Sequence, residues 1–349
     1  VYLLARAAFA GQSGGVMEAA RSLGCSQRSA FFRVALPLAR PAIVVGLSIC
    51  LMETLADYGT VQYFGISTFT TGIYRTWNGL GSTVGAAQLA ALLLGFVFIL
   101  VSIESWSRKQ AQFFNTGSQL CPSPAVPIVG GRLFIAYLVC GVPVLLGFVV
   151  PLIQLSIWAS ITSDSIMTAD FAGYLFNSLT LAAITSAAAL ILALFIAYGR
   201  RLYPTQLSSV AARVLSLGYA LPGTVVAIGV LVPFAWLDNR VSAFMVARFD
   251  FNTGLLLSGT AFILVFAYLV RFLPIAMNTV DAGLTKVRPS MDEAGRSMGL
   301  GPMTILRRVH MPIMRGSLAT ALLLVFVDVL KELPATLLLR PFNFNTLAI

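Results

Sequence analysis

Seven long apolar stretches restrict the folds open to this chain, because each is close to the ~20 residues that a helix needs to cross a bilayer core of roughly 30 Å. Hydrophobic residues make up 58% of the sequence and charged residues 10%, whereas a soluble domain has about 25% charged residues. The sequence therefore predicts an all-α, polytopic membrane protein embedded in a lipid bilayer. The predicted spans are 41–57, 85–106, 133–158, 175–198, 213–236, 255–275 and 317–333.

A polar motif occurs twice between these spans, and every matched position of the two copies differs by the same offset of 275 in the numbering. Each copy has an acid, two small residues, a glycine and, at its end, a proline. The first copy consists of Glu18, Ala19, Ala20, Gly24, Val34, Leu36 and Pro37, and the second of Glu293, Ala294, Gly295, Gly299, Val309, Met311 and Pro312. A polar loop of fixed spacing in such an apolar chain is expected to contact a soluble partner rather than lipid.

Each loop is predicted to form two short helices separated by a turn. Gly24 can adopt the left-handed conformation that ends a helix, and Ser26 suits the N-cap of a helix that is expected to run to Pro37. Pro302 suits the first position of the corresponding helix in the second copy, where its missing N–H costs little. A single loop of this kind could be a helical hairpin that only connects two spans, and the repetition argues against that interpretation.

The distribution of basic residues favours one orientation. If both loops face the cytoplasm, 18 of the 23 Lys and Arg residues lie on the cytoplasmic side, and Arg271 is one of these 18. This distribution is the one that the positive-inside rule requires. This asymmetry accounts for the net charge of +10 without nucleic acid as a partner.

The number of spans between the two loops shows the direction of the repeat. Six predicted spans separate the loops, and an even number places both loops on the same face of the membrane, so the repeat is direct. Secondary transporters commonly have inverted repeats, which makes that class a weaker alternative.

The pattern E-A-A-x3-G-x9-[IV]-x-L-P resembles the cytoplasmic EAA motif of ABC importer permeases, the membrane subunits that work with a solute-binding protein. Glu18 through Pro37 matches every anchor, and the second copy departs only at Gly295 and Met311. The resemblance implies a type I importer-like fold of two tandem six-helix permease halves. It also implies a multi-pass protein of the bacterial inner membrane.

In that family the loop is a coupling helix, which docks into a groove on a dimer of cytoplasmic ATPase subunits. The resemblance implies that the two glutamates pair with basic groups of the ATPase, that the small residues permit close packing, and that the glycines set the turn. The implied coupling residues are Glu18, Ala19, Ala20, Gly24, Glu293, Ala294, Gly295 and Gly299. A periplasmic solute-binding protein is the second implied partner.

The chain itself lacks the signature of an ATPase or of another enzyme. None of its three lysines (Lys109, Lys286 and Lys331) follows a glycine, so the phosphate-binding motif G-x4-G-K-[ST] is absent. The single histidine, His310, lies in the second loop and is interpreted as part of that helix surface rather than as a metal ligand. We therefore expect a transport subunit with no catalytic residues, no cofactor and no metal site, powered by a separate ATPase.

Several segments resemble the fused ferric-iron importer permeases. They are Glu53 to Val61, Phe69 to Trp77, Ala220 to Thr224, Asp328 to Pro334 and Arg340 to Phe344. The resemblance implies ferric iron as the cargo, and thiamine, a polyamine or an oxyanion are the alternatives within the class.

Four acids support a cationic cargo on independent grounds. The repeat offset pairs Glu53 with Asp328 and Asp57 with Glu332, and the two acids of each copy have the i, i+4 spacing of one helical face. Ionisable groups at membrane depth usually face an aqueous path, and hard oxygen ligands suit a hard cation. The four acids are therefore candidates for a translocation path. The alternative is that they cap helix ends or neutralise Lys331.

The repeat also predicts a division of the chain. Residues 1–106 would be the C-terminal part of a first permease half, 107–132 a cytoplasmic linker, and 133–349 a second half without its last helix. The sequence is accordingly expected to be a fragment of a longer polypeptide.

Overall fold

The computed structural model describes residues 1–10, 12, 14–109, 130–166 and 169–349, and the regular secondary structure within these ranges is entirely helical. Most of the predicted linker, residues 110–129, lies outside the described residues. The α-helices are α1 Tyr2–Ala10, α2 Gly14–Ser22, α3 Gln27–Ala30, α4 Leu36–Ala56, α5 Gly59–Tyr63, α6 Phe69–Tyr74, α7 Thr83–Lys109, α8 Gly131–Val144, α9 Val150–Ile166, α10 Ala169–Leu202, α11 Gln206–Ser216, α12 Gly223–Phe249, α13 Ala261–Leu284, α14 Pro289–Ser297, α15 Pro302–Ile305, α16 Met311–Ile313, α17 Arg315–Leu330 and α18 Pro334–Leu339.

The chain forms two compact units. One comprises Val1–Leu47 and Glu104–Gly173, and the other comprises Ser48–Ile103 and Tyr174–Ile349. In the second unit, the central helix α13 packs against α17 and α12, and its inward face is lined by large side chains such as Tyr268 and Phe272, each at most 2% exposed. This face is the core of the second unit.

Six helices in the described residues are long and apolar enough to cross a membrane, and a bent pair of helices makes a seventh candidate. The six are Gln27–Ala56, Thr83–Trp106, Gly131–Thr162, Asp170–Leu202, Gly223–Phe249 and Ala261–Leu284, and the bent pair is Pro302–Ile313 with Arg315–Leu330. The predicted multi-pass, all-α architecture is confirmed. A stripe of alanines along α10 (Ala182, Ala189, Ala193 and Ala197) is buried, as expected where membrane helices approach closely.

The predicted boundaries of two spans are wrong. The fifth span does not start at 213, because Pro222 ends a short 3-10 turn at Leu217–Ala220 and forces Leu221 into an extended conformation (ψ 129°) before α12 begins. The sixth does not start at 255, because the chain from 250 to 260 is irregular. There the buried carboxylate of Asp238 accepts hydrogen bonds from the backbone N–H groups of Leu257 (3.1 Å) and Ser258 (2.7 Å).

Widened π-helical turns precede three prolines, each at the second position of the helix that follows the turn. Each turn ends shortly before a proline, and the pairs are Phe31–Ala35 with Pro37, Leu145–Val149 with Pro151, and Leu306–His310 with Pro312. A proline lacks the N–H for the helical hydrogen bond, and its ring clashes with the carbonyl one turn earlier. A wider turn at that point relieves both problems. The helix after Ser26 therefore does not stop at Pro37, as predicted, but continues to Ala56.

Candidate functional site

The two motif loops have the same local structure, element for element. The repeat offset relates α2 to α14, α3 to α15, and the π turn Phe31–Ala35 to the π turn Leu306–His310, with equivalent bounds in each pair. Burial follows the same rule. The buried positions Ala20, Ala30, Ala35 and Ala39 correspond to Gly295, Ile305, His310 and Met314, which are also buried.

The glycine turns of the two loops have the same hydrogen bonding. Gly24 (φ 85°) donates to the carbonyl of Arg21, and Cys25 donates to that of Ala20, both at 3.0 Å. Gly299 (φ 75°) donates to Arg296 at 2.9 Å, and Leu300 donates to Gly295 at 3.0 Å. This pair of bonds is the Schellman motif, which satisfies the last carbonyls of a helix and favours glycine at the left-handed position. The predicted left-handed Gly24 is therefore confirmed.

The starts of the second helices also follow the sequence. Ser26 accepts a hydrogen bond from the N–H of Ser29 (3.3 Å) and caps α3. Pro302 lies in the first turn of α15, after the N-cap residue Gly301. Both predictions are confirmed.

The predicted coupling residues divide into an exposed set and a buried pair. Glu18, Ala19, Gly24, Glu293, Ala294 and Gly299 are exposed, whereas Ala20 and Gly295 are buried. The exposed acids can therefore meet a partner. Gly295 packs inside its own loop, since a Cβ atom on it would lie 2.9 Å from two side-chain atoms of Ile305.

His310 does not belong to the surface of the loop. Its side chain is fully buried, and Nε2 lies 2.5 Å from Oδ1 of Asp292 in α14. The edge of its ring meets the ring of Tyr198 with the centroids 5.2 Å apart. The sequence interpretation as a surface residue was wrong because a lone histidine gives no indication of the carboxylate that it will contact.

The four predicted acids line one cavity of about 480 Å³ in the second unit. Glu53 lies in α4 and Asp328 in α17. Asp57 and Glu332 lie beyond the ends of those helices, so the prediction that each pair shares a helical face is wrong. Instead, Asp57 accepts from the N–H of Thr60 (3.2 Å) and Glu332 from that of Ala335 (3.2 Å), so that donor and acceptor are again related by the repeat offset.

The other two acids, Glu53 and Asp328, contact side chains that also line the cavity. The hydroxyl of Tyr219 donates to Glu53 (2.8 Å), and Nζ of Lys331 lies 2.9 Å from Oδ1 of Asp328. That bond to Asp328 raises the pKa of the Lys331 ammonium above its ordinary value. The capping and neutralising alternative therefore describes real contacts, and the acids nevertheless remain in the wall of the cavity.

Arg271 forms the buried part of this wall. Its Nη1 lies 2.5 Å from Oε2 of Glu332, and the two side chains are 8% and 5% exposed. A Cβ on Gly223 would overlap Oε1 of Glu332 and Nη1 of Arg271, so a larger residue at this position would require the ion pair to shift. Placing Arg271 with the cytoplasmic residues was wrong, because it lies inside α13. A lone arginine in an apolar stretch was the signal that could have revealed this site.

Nothing in the sequence indicated that Tyr219 would line this cavity. Within the described part of the chain, no group of three or more His, Cys, Asp or Glu side chains is arranged to hold a metal ion. The cavity is lined by four carboxylates together with the basic groups of Arg271 and Lys331.

The sequence matches a known family over most of its length. The model of the family described as binding-protein-dependent transport system inner membrane component matches residues 1–108 and 189–343.

Individual relatives are distant. The Fe(3+)-transport system permease protein FbpB 2 of Haemophilus influenzae is 26% identical over 336 residues, which cover 95% of this chain and 63% of the relative. The probable ABC transporter permease protein y4fN of Sinorhizobium fredii is 25% identical, with 100% of this chain and 63% of the relative covered. The putative 2-aminoethylphosphonate transport system permease protein PhnV of Salmonella typhimurium is 26% identical over 175 residues, or 50% of this chain and 60% of the relative.

The chain thus spans 63% of the length of the first two of these relatives. The family match covers both motif loops and the helices that line the acidic cavity. The protein belongs to the binding-protein-dependent transport system inner-membrane components, the permease subunits of ABC importers, and is a multi-pass inner-membrane protein.

Proposed function

We propose that this chain supplies the membrane path and both ATPase-docking loops of an ATP-driven importer that carries ferric iron into the cytoplasm. The observation that carries the proposal is the twofold occurrence of an exposed acid, Glu18 or Glu293, at the same place in the same helix–turn–helix. Two equivalent docking loops fit a partner that is itself a dimer. The two permease halves would be residues 1–106 and 133–349.

The mechanism is alternating access. A dimer of cytoplasmic ATPase subunits closes on ATP and pulls on both loops, and a periplasmic binding protein delivers the cargo. Glu18 and Glu293 pair with basic groups on the ATPase, because charge-assisted hydrogen bonds are the strongest polar contacts at such an interface. An ATP-independent secondary transporter would have no use for two such loops.

Ferric iron is the preferred cargo on chemical grounds. The cavity is lined by four carboxylates, from Glu53, Asp57, Asp328 and Glu332, against two basic groups. Hard oxygen donors suit a hard trivalent cation, and the absence of a closed coordination site within the described chain fits a conduit that must release what it carries. The ferric permease among the relatives supports the same assignment.

A phosphonate-type cargo is the second candidate. Arg271 and Lys331 line the same cavity, and such groups bind oxyanions. A relative named for 2-aminoethylphosphonate transport favours this cargo over thiamine or a polyamine.

Uptake assays on the full-length protein with its ATPase and binding protein test both parts. Glu18→Gln combined with Glu293→Gln should reduce ATP-coupled uptake below detection while membrane insertion is retained, and the charge-preserving Glu18→Asp/Glu293→Asp variant is the control. Normal uptake by the glutamine variant would refute the docking role. For cargo, labelled ferric iron should enter cells, and entry of labelled 2-aminoethylphosphonate or thiamine instead would overturn the iron assignment.

A further inference from the structure

The second motif loop is built around a carboxylate that the first loop lacks. Asp292, the residue before Glu293 in α14, is half-buried, with 14% of its side chain exposed. Its Oδ1 lies 2.5 Å from Nε2 of His310, and its Oδ2 accepts a hydrogen bond from Nε of Arg201 at 2.8 Å. Both oxygens of one side chain therefore bind groups from other elements, the π turn of the loop and the end of α10.

Arg201 connects α10 to the loop at several points. Besides Asp292, its Nη1 donates to the carbonyl of Leu284 and its Nη2 to that of Val287, each at 2.8 Å. These carbonyls lie at the C-terminal end of α13 and in the turn before α14, where helix carbonyls have no intrahelical donor. A guanidinium is suited to this position, because its planar fork can reach a carboxylate and two carbonyls together.

The buried imidazole completes the connection. A carboxylate only accepts hydrogen bonds, so Nε2 of His310 carries the hydrogen, and Nδ1 is a buried atom without a hydrogen-bond partner. One face of the site is covered by Tyr198, which is 6% exposed and whose hydroxyl donates to the carbonyl of Pro302 at 2.8 Å. The end of α10 thus contacts the loop before α14, within α14 and at the start of α15.

The first loop has no equivalent of this arrangement in its sequence. The repeat offset places Met17 and Ala35 at the positions of Asp292 and His310, and neither residue has a carboxylate or an imidazole. The first loop has instead a neutral hydrogen bond from Nε2 of Gln12 to the carbonyl of Ala35, at 2.8 Å. Charge-assisted hydrogen bonds are roughly twice as strong as neutral ones, so the bonds to Asp292 are stronger than the bond that the described residues show at Ala35.

We infer that Asp292 is a positioning residue for energy coupling, which fixes the second loop to α10 so that movement imposed at Glu293 is passed directly to that helix. The inference rests on the proposed docking of Glu293 to an ATPase. Asp292 does not itself contact the ATPase. Together with Arg201 and His310, it makes α14, the end of α13 and the end of α10 move as one body.

The test is the amount of cargo transported per ATP hydrolysed by the complete transporter in vesicles, with ferric iron and the binding protein supplied. Asp292→Asn should lower this ratio by about twofold to thirtyfold, the range by which changes at such positions alter coupling between sites, and Asp292→Glu should restore part of it. Arg200→Gln is the matched control. Arg200 also joins α10 to α13, through Asp281 at 2.8 Å, and this ion pair involves no residue of the loop. An unchanged ratio in Asp292→Asn, or an equal loss in Arg200→Gln, would overturn the inference.

Hydrogen exchange gives a readout that is independent of the cargo. In the full-length wild-type protein, the amides of residues 289–312 should exchange slowly, and Asp292→Asn should accelerate them selectively. Should that variant fail to fold, Arg201→Gln/Asp292→Asn removes both charges together and should show the same acceleration. Unchanged exchange in the foldable variant would also refute the inference. The two proposals can fail separately. If Glu18→Gln/Glu293→Gln lost ATP-coupled uptake while Asp292→Asn kept a normal ratio of cargo to ATP, the proposed function would stand and only the role of Asp292 would be rejected.

Discussion

The two motif loops share a backbone but differ in what holds them in place. In the first copy the helix after Ser26 continues unbroken to Ala56, and alanines fill the buried positions. In the second, the chain bends by 82° between Ile313 and Arg315, and Ile305 and His310 fill the equivalent positions. The two copies thus have the same helix–turn–helix backbone but different internal packing. The features common to both copies are the ones on which the proposed docking depends, and the features of one copy involve the helices around that loop.

The largest predicted difference concerns the two equivalent acids at the cavity. Glu332→Gln should lower the free energy of unfolding by about 3–5 kcal/mol, because it leaves the guanidinium of Arg271 buried without a counter-charge. Asp57→Asn should cost less than about 0.5 kcal/mol, because the asparagine side-chain oxygen can accept the same hydrogen bond from the N–H of Thr60. Thermal unfolding in detergent measures both.

Replacing the whole ion pair separates the charge effect from general damage. Arg271→Met/Glu332→Leu should recover most of the stability lost in Glu332→Gln, since an apolar pair leaves no isolated charge. If Asp57→Asn and Glu332→Gln lowered the free energy of unfolding by similar amounts, the buried ion pair would not distinguish Glu332 from Asp57, and this account would be wrong.

An intermediate effect is expected where glycine and isoleucine, Gly295 and Ile305, stand in place of the two alanines Ala20 and Ala30. Gly295→Ala should strain the contact with Ile305, and Ile305→Ala should leave a cavity. Their combination recreates the Ala20 and Ala30 pair of the first loop. We expect the double variant to be at least about 1 kcal/mol more stable than the sum of the single effects, as contacting residues are typically coupled by that amount. Additive losses in unfolding experiments would contradict this packing account.

The smallest effect is expected at the caps. Gly301 occupies the N-cap of α15 with no side-chain hydrogen bond, in open space, where the first loop has Ser26. Gly301→Ser should stabilise the second loop by a few tenths of a kcal/mol, because glycine is only slightly inferior to serine at this position. Gly229→Ser, at a mid-helix glycine that also faces open space, serves as the comparison. A loss of stability in Gly301→Ser would show that the N-caps at Gly301 and Ser26 are not equivalent.

Local chemistry and periodicity predicted the features that depend on one segment. The left-handed Gly24, the cap at Ser26, the start at Pro302 and the helical spans all depend on residues within a few positions. The grouping of the four acids could also be predicted, because the repeat offset relates residues that are distant in the sequence. The coupling and pathway roles themselves stay predictions.

The features that sequence reasoning missed depend on contacts between distant segments. The partner of Arg271 is Glu332, which lies far along the chain beyond α17, and the contact of Arg201 with Asp292 joins two separate helices. No local pattern specifies either partner. The break before α12 was missed for a different reason, because apolar residues on both sides of Pro222 concealed it in the hydropathy pattern.

The contact between Gly223 and the buried ion pair has an evolutionary consequence. A side chain at 223 would displace the ion pair, and a change of charge at 271 or at 332 would leave the other charge without its partner, so we expect the three positions to change together. Lineages that lost the pair should have lost it at both charged positions, and only there should a larger residue than glycine be found at the equivalent of 223. The three positions are expected to be inherited as a single character.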